Sequence, residues 1–380
     1  MTAHQLSFEE AFVPVSDRGK RVEKRAYLES GQIPVVDQGE GLIGGYTDNE
    51  AKAYDGPLPV LVFGDHTRRI KFVDFPFAVG AQGVKLLKPR KCWHPKFIAY
   101  QLTSLRLDDR GYSRHYQLLR KETFVCPPID EQRRIVAEIE EQLSRLEAGV
   151  TAIKRVQANL KRYRSSAISE PFTALEGKGH VDWQTGREVF EFITSGSRGW
   201  AKYYSDSGAL FLRVGNVRRE NIQLELGDIQ RVAPPLGAEG LRTQVAPGDI
   251  LVTITADVGR VGLVSSQLGE AFVNQHVALV RPRTGFNPRY LAWYLASRVG
   301  NQQLRLNERG ATRTGLGLDD ILAARIPFID NIEQDRVAAE IDRRLSVVEE
   351  LETQVHADLA RAERLRQAIL SSAFSSRSEH

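Results

Sequence analysis

Two stretches of the chain repeat apolar residues every seven positions. Within residues 131–172, Ile139, Leu146, Ile153 and Leu160 form one series, and Val136, Leu143 and Val150 a second. These are the a and d positions of a coiled-coil heptad and predict one long helix. At about 1.5 Å per residue it makes a rod of roughly 60 Å. A second stretch carries Ile341, Val348 and Val355, with Leu345 and Leu359 on the companion series. Glu352 and Arg366 interrupt that second seam. The other faces are rich in Arg, Glu and Lys. So narrow an apolar stripe asks for a partner helix, and the two stretches are expected to pair with each other rather than only dock on their own domains.

Outside the helices, short apolar or alternating runs are bounded by glycines. Ile33–Val36, Leu58–Phe63, Phe72–Val73 and Val84–Leu87 read as strands, as do Leu210–Val214, Ile250–Ile254, Val261–Val264 and Val277–Val280. Each group gives way to a helix led by proline, Pro95-Lys-Phe-Ile-Ala-Tyr and Pro288-Arg-Tyr-Leu-Ala-Trp. Each head is therefore expected to be α+β, a twisted sheet with helices on one side.

The chain repeats itself. Gln132 to Phe172 answers Gln334 to Phe374 at a constant offset of 202 (334 − 132). Upstream, Arg110-Gly-Tyr-Ser-Arg114 answers Arg309-Gly-Ala-Thr-Arg313 at 199, and Pro95–Ser104 answers Pro288–Ser297 at 193. Val84–Pro89 answers Val277–Pro282 at 193, and a shorter match sets Ser30-Gly31 against Ser207-Gly208. Several matches in one order are a duplication: head, helix, head, helix. Short links join the second head to the end of helix one (Leu175–His180) and to the start of helix two (Ile326–Phe328). The helices must then run antiparallel. The expected molecule is a pseudo-twofold dumbbell, two heads held apart by a two-helix rod.

Composition changes this picture little. The 380 residues suit two or three domains, and 52 Lys+Arg against 48 Asp+Glu leave a net charge of +4. That mild excess permits nucleic-acid binding without arguing for it. The two cysteines, Cys92 and Cys126, lie far apart and in no CxxC, which argues against a disulfide framework or zinc site and for a reducing cytoplasm. No signal peptide or run of about 20 apolar residues is evident.

Enzymatic motifs find little support. Asn287-Pro-Arg-Tyr290 is similar to the NPPY loop of amino-methyltransferases, but Arg replaces the second proline and no glycine-rich cofactor loop precedes it. It reads as a proline-led helix start. Glu176-Gly-Lys178 fits the ExK of nucleases but lies in a link. Gly39-Glu-Gly-Leu-Ile-Gly-Gly45 lacks the Lys-Ser/Thr of a P-loop. The eight histidines make no ligand cluster. Basic and polar residues do gather in loops: His66, Thr67, Arg68, Arg69 and Lys71 in head one; Arg198, Lys202, Asn216, Arg218 and Arg219 in head two; and Arg114 and Arg313, which close the repeated RGx[ST]R. These are the residue types that contact phosphates and base edges, although any single arginine reads more readily as surface than as a base contact. The repeated RGx[ST]R could equally be a turn that orders the joint between head and rod.

In Pro127-Pro-Ile-Asp-Glu-Gln132-Arg-Arg-Ile135 and Ile326-Pro-Phe-Ile-Asp-Asn-Ile-Glu-Gln334, each entry into a long helix resembles that of the specificity subunit of type I restriction–modification enzymes. So does the helix ending Arg364–Phe374. Phe63-Gly-Asp-His-Thr67, Phe77-Ala-Val-Gly80, Gly248-Asp-Ile-Leu251 and Gly310-Ala-Thr-Arg313 resemble its target-recognition domains. The resemblance implies two α/β target-recognition domains, 1–127 and 175–325, separated by an antiparallel two-helix coiled coil of conserved helices, 128–174 and 326–375. It implies a non-catalytic subunit whose heads each read half of a bipartite DNA site. The helices would set the spacer and dock two methyltransferase subunits, and motor–nuclease subunits would join them. S-adenosylmethionine, ATP and Mg2+ would belong to those partners, with no cofactor or metal on this chain. Ile139, Leu143, Leu146, Ile153, Ile341, Leu345, Val348 and Val355 are the expected coiled-coil and docking positions. The other class of reading is a coiled-coil scaffold whose heads bind proteins.

Overall fold

A computed structural model describes residues 4–80, 82–105, 107–108, 114–177, 181–234, 237–305 and 315–375. The chain forms two compact units, residues 1–153 with 357–380 and residues 154–356, and the division crosses both long helices. Those helices run Ile129–Glu176 and Asn331–Ser375.

In the first unit, four antiparallel strands form the larger sheet, in the order Phe12–Val15, Val84–Pro89, Val60–Gly64, Ile70–Val73. Every residue of Val60–Gly64 is buried because both faces of this sheet are covered. Successive side chains of a strand point to opposite faces. Leu61, Phe63 and Leu87 pack with Phe97, Ile98 and Leu102 of the helix Pro95–Ser104 and with Ile135, Val136 and Ile139 of the long helix. Val60, Val62 and Leu86 pack instead with Val36, Phe77 and Val79. Val36 and Val79 belong to a smaller sheet ordered Gly45–Thr47, Ile33–Val36, Ala78–Val79, whose last two strands are parallel. A separate pair, His4–Ser7 with Thr123–Cys126, leads into the long helix.

The second unit repeats this plan, with one strand more in its smaller sheet. Its larger sheet runs Phe190–Ser195, Val277–Pro282, Ile250–Thr253, Val261–Leu263. Its smaller sheet runs Tyr204–Ser205, Gln230–Val232, Ala209–Leu212, Ala271–Val273, again with one parallel pair. Asp182–Thr185 pairs with Arg325–Phe328. The duplication thus extends through parts of the heads whose sequences match poorly.

Three expectations are corrected. Each head has a second, smaller sheet packed on the face of the larger one away from the long helices. A doubly buried strand reads as one apolar run whatever covers its second face, so the sequence pattern does not separate the cases. Val214 lies in a short 3-10 turn rather than a strand. Residues 326–328, grouped above with the second helix, form a strand, while the first helix runs on through Glu176 into the expected link.

In each unit the early part of one long helix packs against the late part of the other. In the first unit Ile139 and Leu143 share a core with Ile369 and Leu370. In the second, Ile341 and Leu345 share one with Ile168 and Phe172. The pairing is antiparallel, as connectivity required. Val348 and Val355 are also buried, and Leu146 and Ile153 half-buried. The seam-breaking residues form interhelical ion pairs, Arg366 with Glu147 and Glu352 with Arg164, each at 2.8 Å.

The same joint ties head to helix twice. Gln132 and Gln334 are fully buried. The Gln132 side chain accepts from the His94 amide at 2.7 Å and donates to the Pro127 carbonyl at 2.8 Å. Gln334 accepts from the Asn287 amide and donates to the Ile329 carbonyl, both at 2.8 Å. Lys96 pairs with Glu140 at 2.6 Å, and Arg289 with Asp342 at 2.5 Å. Phe97 meets Phe374 edge-on at 5.3 Å between ring centres, and Tyr290 meets Phe172 at 5.5 Å.

Candidate nucleic-acid interface

In the first unit the hairpin between Val60–Gly64 and Ile70–Val73 carries the head-one candidates. Its turn is fixed from below. The Asp65 carboxylate accepts from the Tyr116 amide at 2.8 Å, the Thr67 hydroxyl donates to the Gln38 carbonyl at 2.9 Å, and the Gln38 side chain accepts from the His66 amide at 3.2 Å. Arg68 adopts a left-handed backbone (φ +60°) and donates to the Leu107 carbonyl at 2.9 Å. Thr67 and Arg69 are exposed, and Arg69 stands at a cleft of about 530 Å³ with Glu40 and Leu107. Arg114 is exposed as well.

Lys71 is spent on the fold. It is buried 3.6 Å from Asp37 and donates to the Gly41 carbonyl. Burial pulls its ammonium below the ordinary value, and the Asp37 carboxylate opposes this. It braces the Gly39–Gly45 loop from inside and does not reach solvent, which corrects its candidacy for DNA contact.

In the second unit, Arg198 and Lys202 project from a loop anchored by Trp200, which is buried and stacked on Phe211 at 5.2 Å. Gly196 packs so closely on Val273 and Asn274 that a Cβ there would clash with backbone. Arg242, which the sequence reading missed, braces the loop through the Ser195 carbonyl and Ser197 hydroxyl, both at 2.8 Å. The Lys202 ammonium lies 4.8 Å from the Tyr203 ring centre.

Asn216 is also corrected. It is buried, accepts from the Arg213 amide at 2.9 Å and donates to the Glu225 and Asp228 carbonyls at 2.8 and 3.0 Å. Its amide organises the loop that presents exposed Arg218 and Arg219. Arg218 pairs with Glu225, and Arg219 with Asp257. Burial opposes ionisation of Asp257, but hydrogen bonds from Arg260 and Arg219 outweigh it and hold the carboxyl below its ordinary value. Both arginines line a cleft of about 890 Å³ with Lys161 and Arg298, neither of which the sequence singled out. Next to this loop His276 meets the Thr255 hydroxyl at 2.5 Å, in a cleft with Asn274 and Arg213. The arginine and lysine side chains of such a rim can donate to phosphate oxygens.

Arg313 lies outside the described residues, as does Lys178 of the ExK triplet. Asn287 caps its helix, accepting from the Arg289 and Tyr290 amides at 2.7 and 3.1 Å, and pairs with Asp335. That accounts for the asparagine without methyl transfer. Among the described residues no three His, Cys, Asp or Glu side chains converge to hold a metal, and no helix is long and apolar enough to cross a membrane.

A scan of protein families finds no match. Two curated proteins of Escherichia coli do align. The type I restriction enzyme EcoBI specificity subunit is 22% identical over 271 residues, 65% of this chain and 56% of that protein. The aligned stretch therefore spans little more than half of that relative. The type I restriction enzyme EcoR124I/EcoR124II specificity subunit is 22% identical over 337 residues, 85% of this chain and 81% of that protein. Among solved structures, one chain from work on complex assembly and conformational transition of the type I R-M system superposes with a TM-score of 0.72. It is 18% identical, with 98% of this chain and 97% of that one covered. The HsdS subunit from Thermoanaerobacter tengcongensis gives a TM-score of 0.52 at 18% identity, covering 98% and 96%. The chain has the type I specificity-subunit fold.

Within this specificity-subunit fold the two heads share the strand order of the larger sheet and the joint, and differ in their hairpin turns. Head one carries His66-Thr-Arg-Arg69, whereas head two carries Ala256-Asp-Val-Gly259, with Asp257 clamped between two arginines.

Proposed function

We propose that this chain is the DNA sequence-specificity subunit of a type I restriction–modification enzyme, with no chemistry of its own. The observation that carries this reading is the duplication in three dimensions: one head-and-helix plan built twice, with the same strand order in the larger sheet and the same joint, on the specificity-subunit fold. Each head reads one half of a split DNA site. The heads differ in their loops, so the half-sites differ. Thr67, Arg69 and Arg114 of head one, and Arg198, Lys202, Arg218 and Arg219 of head two, supply the contacts to phosphates and base edges.

The long helices set the spacer and dock two methyltransferase subunits, to which motor–nuclease subunits add. S-adenosylmethionine, ATP and Mg2+ act on those partners. The assembly works in the cytoplasm, on the host's DNA. The E. coli relatives support this by their names, and one structural neighbour comes from a type I assembly.

The test is modified-base sequencing in a host expressing this chain with its methyltransferase partner. One asymmetric site of two unequal halves with a fixed spacer is expected. A contiguous or palindromic site would overturn the reading. Four residues added to each long helix lengthen it by about 6 Å, so the spacer should change by one or two base pairs at about 3.4 Å each. An unchanged spacer would remove the ruler role.

A further inference from the structure

We propose that Cys92 and Cys126 form a redox-modification site, a thiol pair that a peroxide converts to an intramolecular disulfide at the joint of the first head and first long helix. This inference does not depend on the DNA-reading function.

The two residues are 34 positions apart (126 − 92), and folding brings them together. Cys126 ends the strand Thr123–Cys126, three residues before the long helix begins at Ile129, and Cys92 stands in the turn before the helix Pro95–Ser104. The Cys126 Sγ lies 3.8 Å from the Cys92 carbonyl oxygen. Gln132 holds both: its Nε2 is 3.0 Å from that carbonyl and 3.6 Å from the Cys126 Sγ. Because Gln132 is fully buried and also bonded to Pro127 and His94, this arrangement is fixed rather than a chance approach of two loops.

The duplication supplies an internal comparison. Gln334 makes the corresponding bonds at the second joint, but the cysteine positions there are Gly285 and Phe328, at the same offsets of 193 and 202. The thiol pair is therefore a feature of one joint only and not a requirement of the joint's architecture.

The two thiols differ in character. Cys92 is exposed, and Cys126 is half-buried. Burial first, and then the neighbouring Cys92, push the Cys126 thiol up to about 11. The thiolate is the nucleophile, so Cys92 meets the oxidant and Cys126 resolves. The Cys92 thiolate attacks one peroxide oxygen, the O–O bond breaks, and hydroxide leaves, giving a sulfenic acid. The Cys126 thiolate then attacks the Cys92 sulfur, the S–S bond forms, and the S–O bond breaks as water departs. Two thiols lose two electrons and two protons, and the peroxide becomes two waters. In a reducing compartment such a pair stays reduced until oxidant arrives.

The full-length protein is treated with a small excess of hydrogen peroxide, remaining thiols are alkylated, and the chain is digested with trypsin without reductant. The expected product is peptide 92–96 linked to peptide 122–133 in a monomeric chain, lost on dithiothreitol treatment. Linking should quicken as pH rises from 7 towards 11, since more Cys126 is thiolate. Cys126→Ser should stop at a Cys92 sulfenic acid trapped by dimedone. Cys92 found as sulfinic acid, or joined to Cys92 of a second chain, with Cys126 still alkylated, would overturn the proposal.

Discussion

Arg164 on the first long helix donates to Glu352 on the second at 2.8 Å and stands 3.8 Å from Glu349. The repeat-related contact is Arg366 with Glu147, since both Arg366 and Glu349 follow their counterparts by 202 residues. One ion pair is thus built twice, with unequal burial. The Arg164 side chain is 11% exposed and also donates to the Glu220 carbonyl, whereas Arg366 and Glu147 are 42% and 60% exposed.

Burial should therefore set the cost of losing each pair. Arg164→Ala strips a partly buried carboxylate of its partner and should cost about 2 kcal/mol. Arg366→Ala should cost less than about 1 kcal/mol, because solvent screens an exposed pair. Urea unfolding of the two variants compares them directly. Equal losses would show that burial does not set the strength of the repeated pair.

The joints invite a second comparison. Gln132→Ala leaves the His94 amide and the Cys92 and Pro127 carbonyls without their partner. A loss of about 2–4 kcal/mol is expected, the scale for buried groups left unsatisfied. Gln334→Ala should act alike on the Asn287 amide and Ile329 carbonyl. Hydrogen exchange locates the effect: each variant should speed exchange at its own joint and leave the other unchanged. Uniform acceleration at both would contradict two separately built joints.

The helices were legible because a heptad seam is a periodic signal carried by many residues, Ile139 to Leu160 and Ile341 to Val355. Their antiparallel pairing followed from connectivity alone. The second sheet of each head was not legible, since Val60–Phe63 is apolar at every position and gives no sign of what covers either face. Nor could composition separate Lys71 and Asn216, buried and bonded within their loops, from exposed Arg69 and Arg198. The same residue types serve a phosphate and a backbone carbonyl, and only the fold decides which is near. Arg242 and Arg298 sit in no basic run and were missed for that reason, and the approach of Cys126 to Cys92 was not legible because no local spacing links them.

That division of the basic residues yields a third prediction. Lys71→Ala leaves Asp37 without its cation in a buried site and should destabilise the first unit by about 3 kcal/mol. Arg69→Ala and Arg198→Ala should leave unfolding almost unchanged. In the assembled enzyme each should weaken DNA binding and lower the salt dependence of affinity by about one ion. Binding titrations across salt concentrations measure the slope. Slopes equal to wild type in both variants would remove these arginines from the interface.

Asp257 gives the fourth prediction, a pH dependence whose sign follows from its surroundings. Burial disfavours its charge, yet Arg260 and Arg219 hold the folded carboxyl below the ordinary value of 3.8. The folded state then binds fewer protons at this site than the unfolded chain. The stability it contributes is fully present above the unfolded value and is lost as pH falls through the folded one. Asp257→Asn removes the charge but keeps an acceptor for the two arginines. The stability gap between wild type and Asp257→Asn should be flat from pH 7 to pH 5 and shrink below about pH 4. Because the Asp257 side chain is 40% exposed, added salt should narrow the gap at neutral pH. Urea melts at stepped pH and two salt concentrations test both features. A gap that widened in acid would reverse the sign and show that burial, not the arginine clamp, governs this carboxylate.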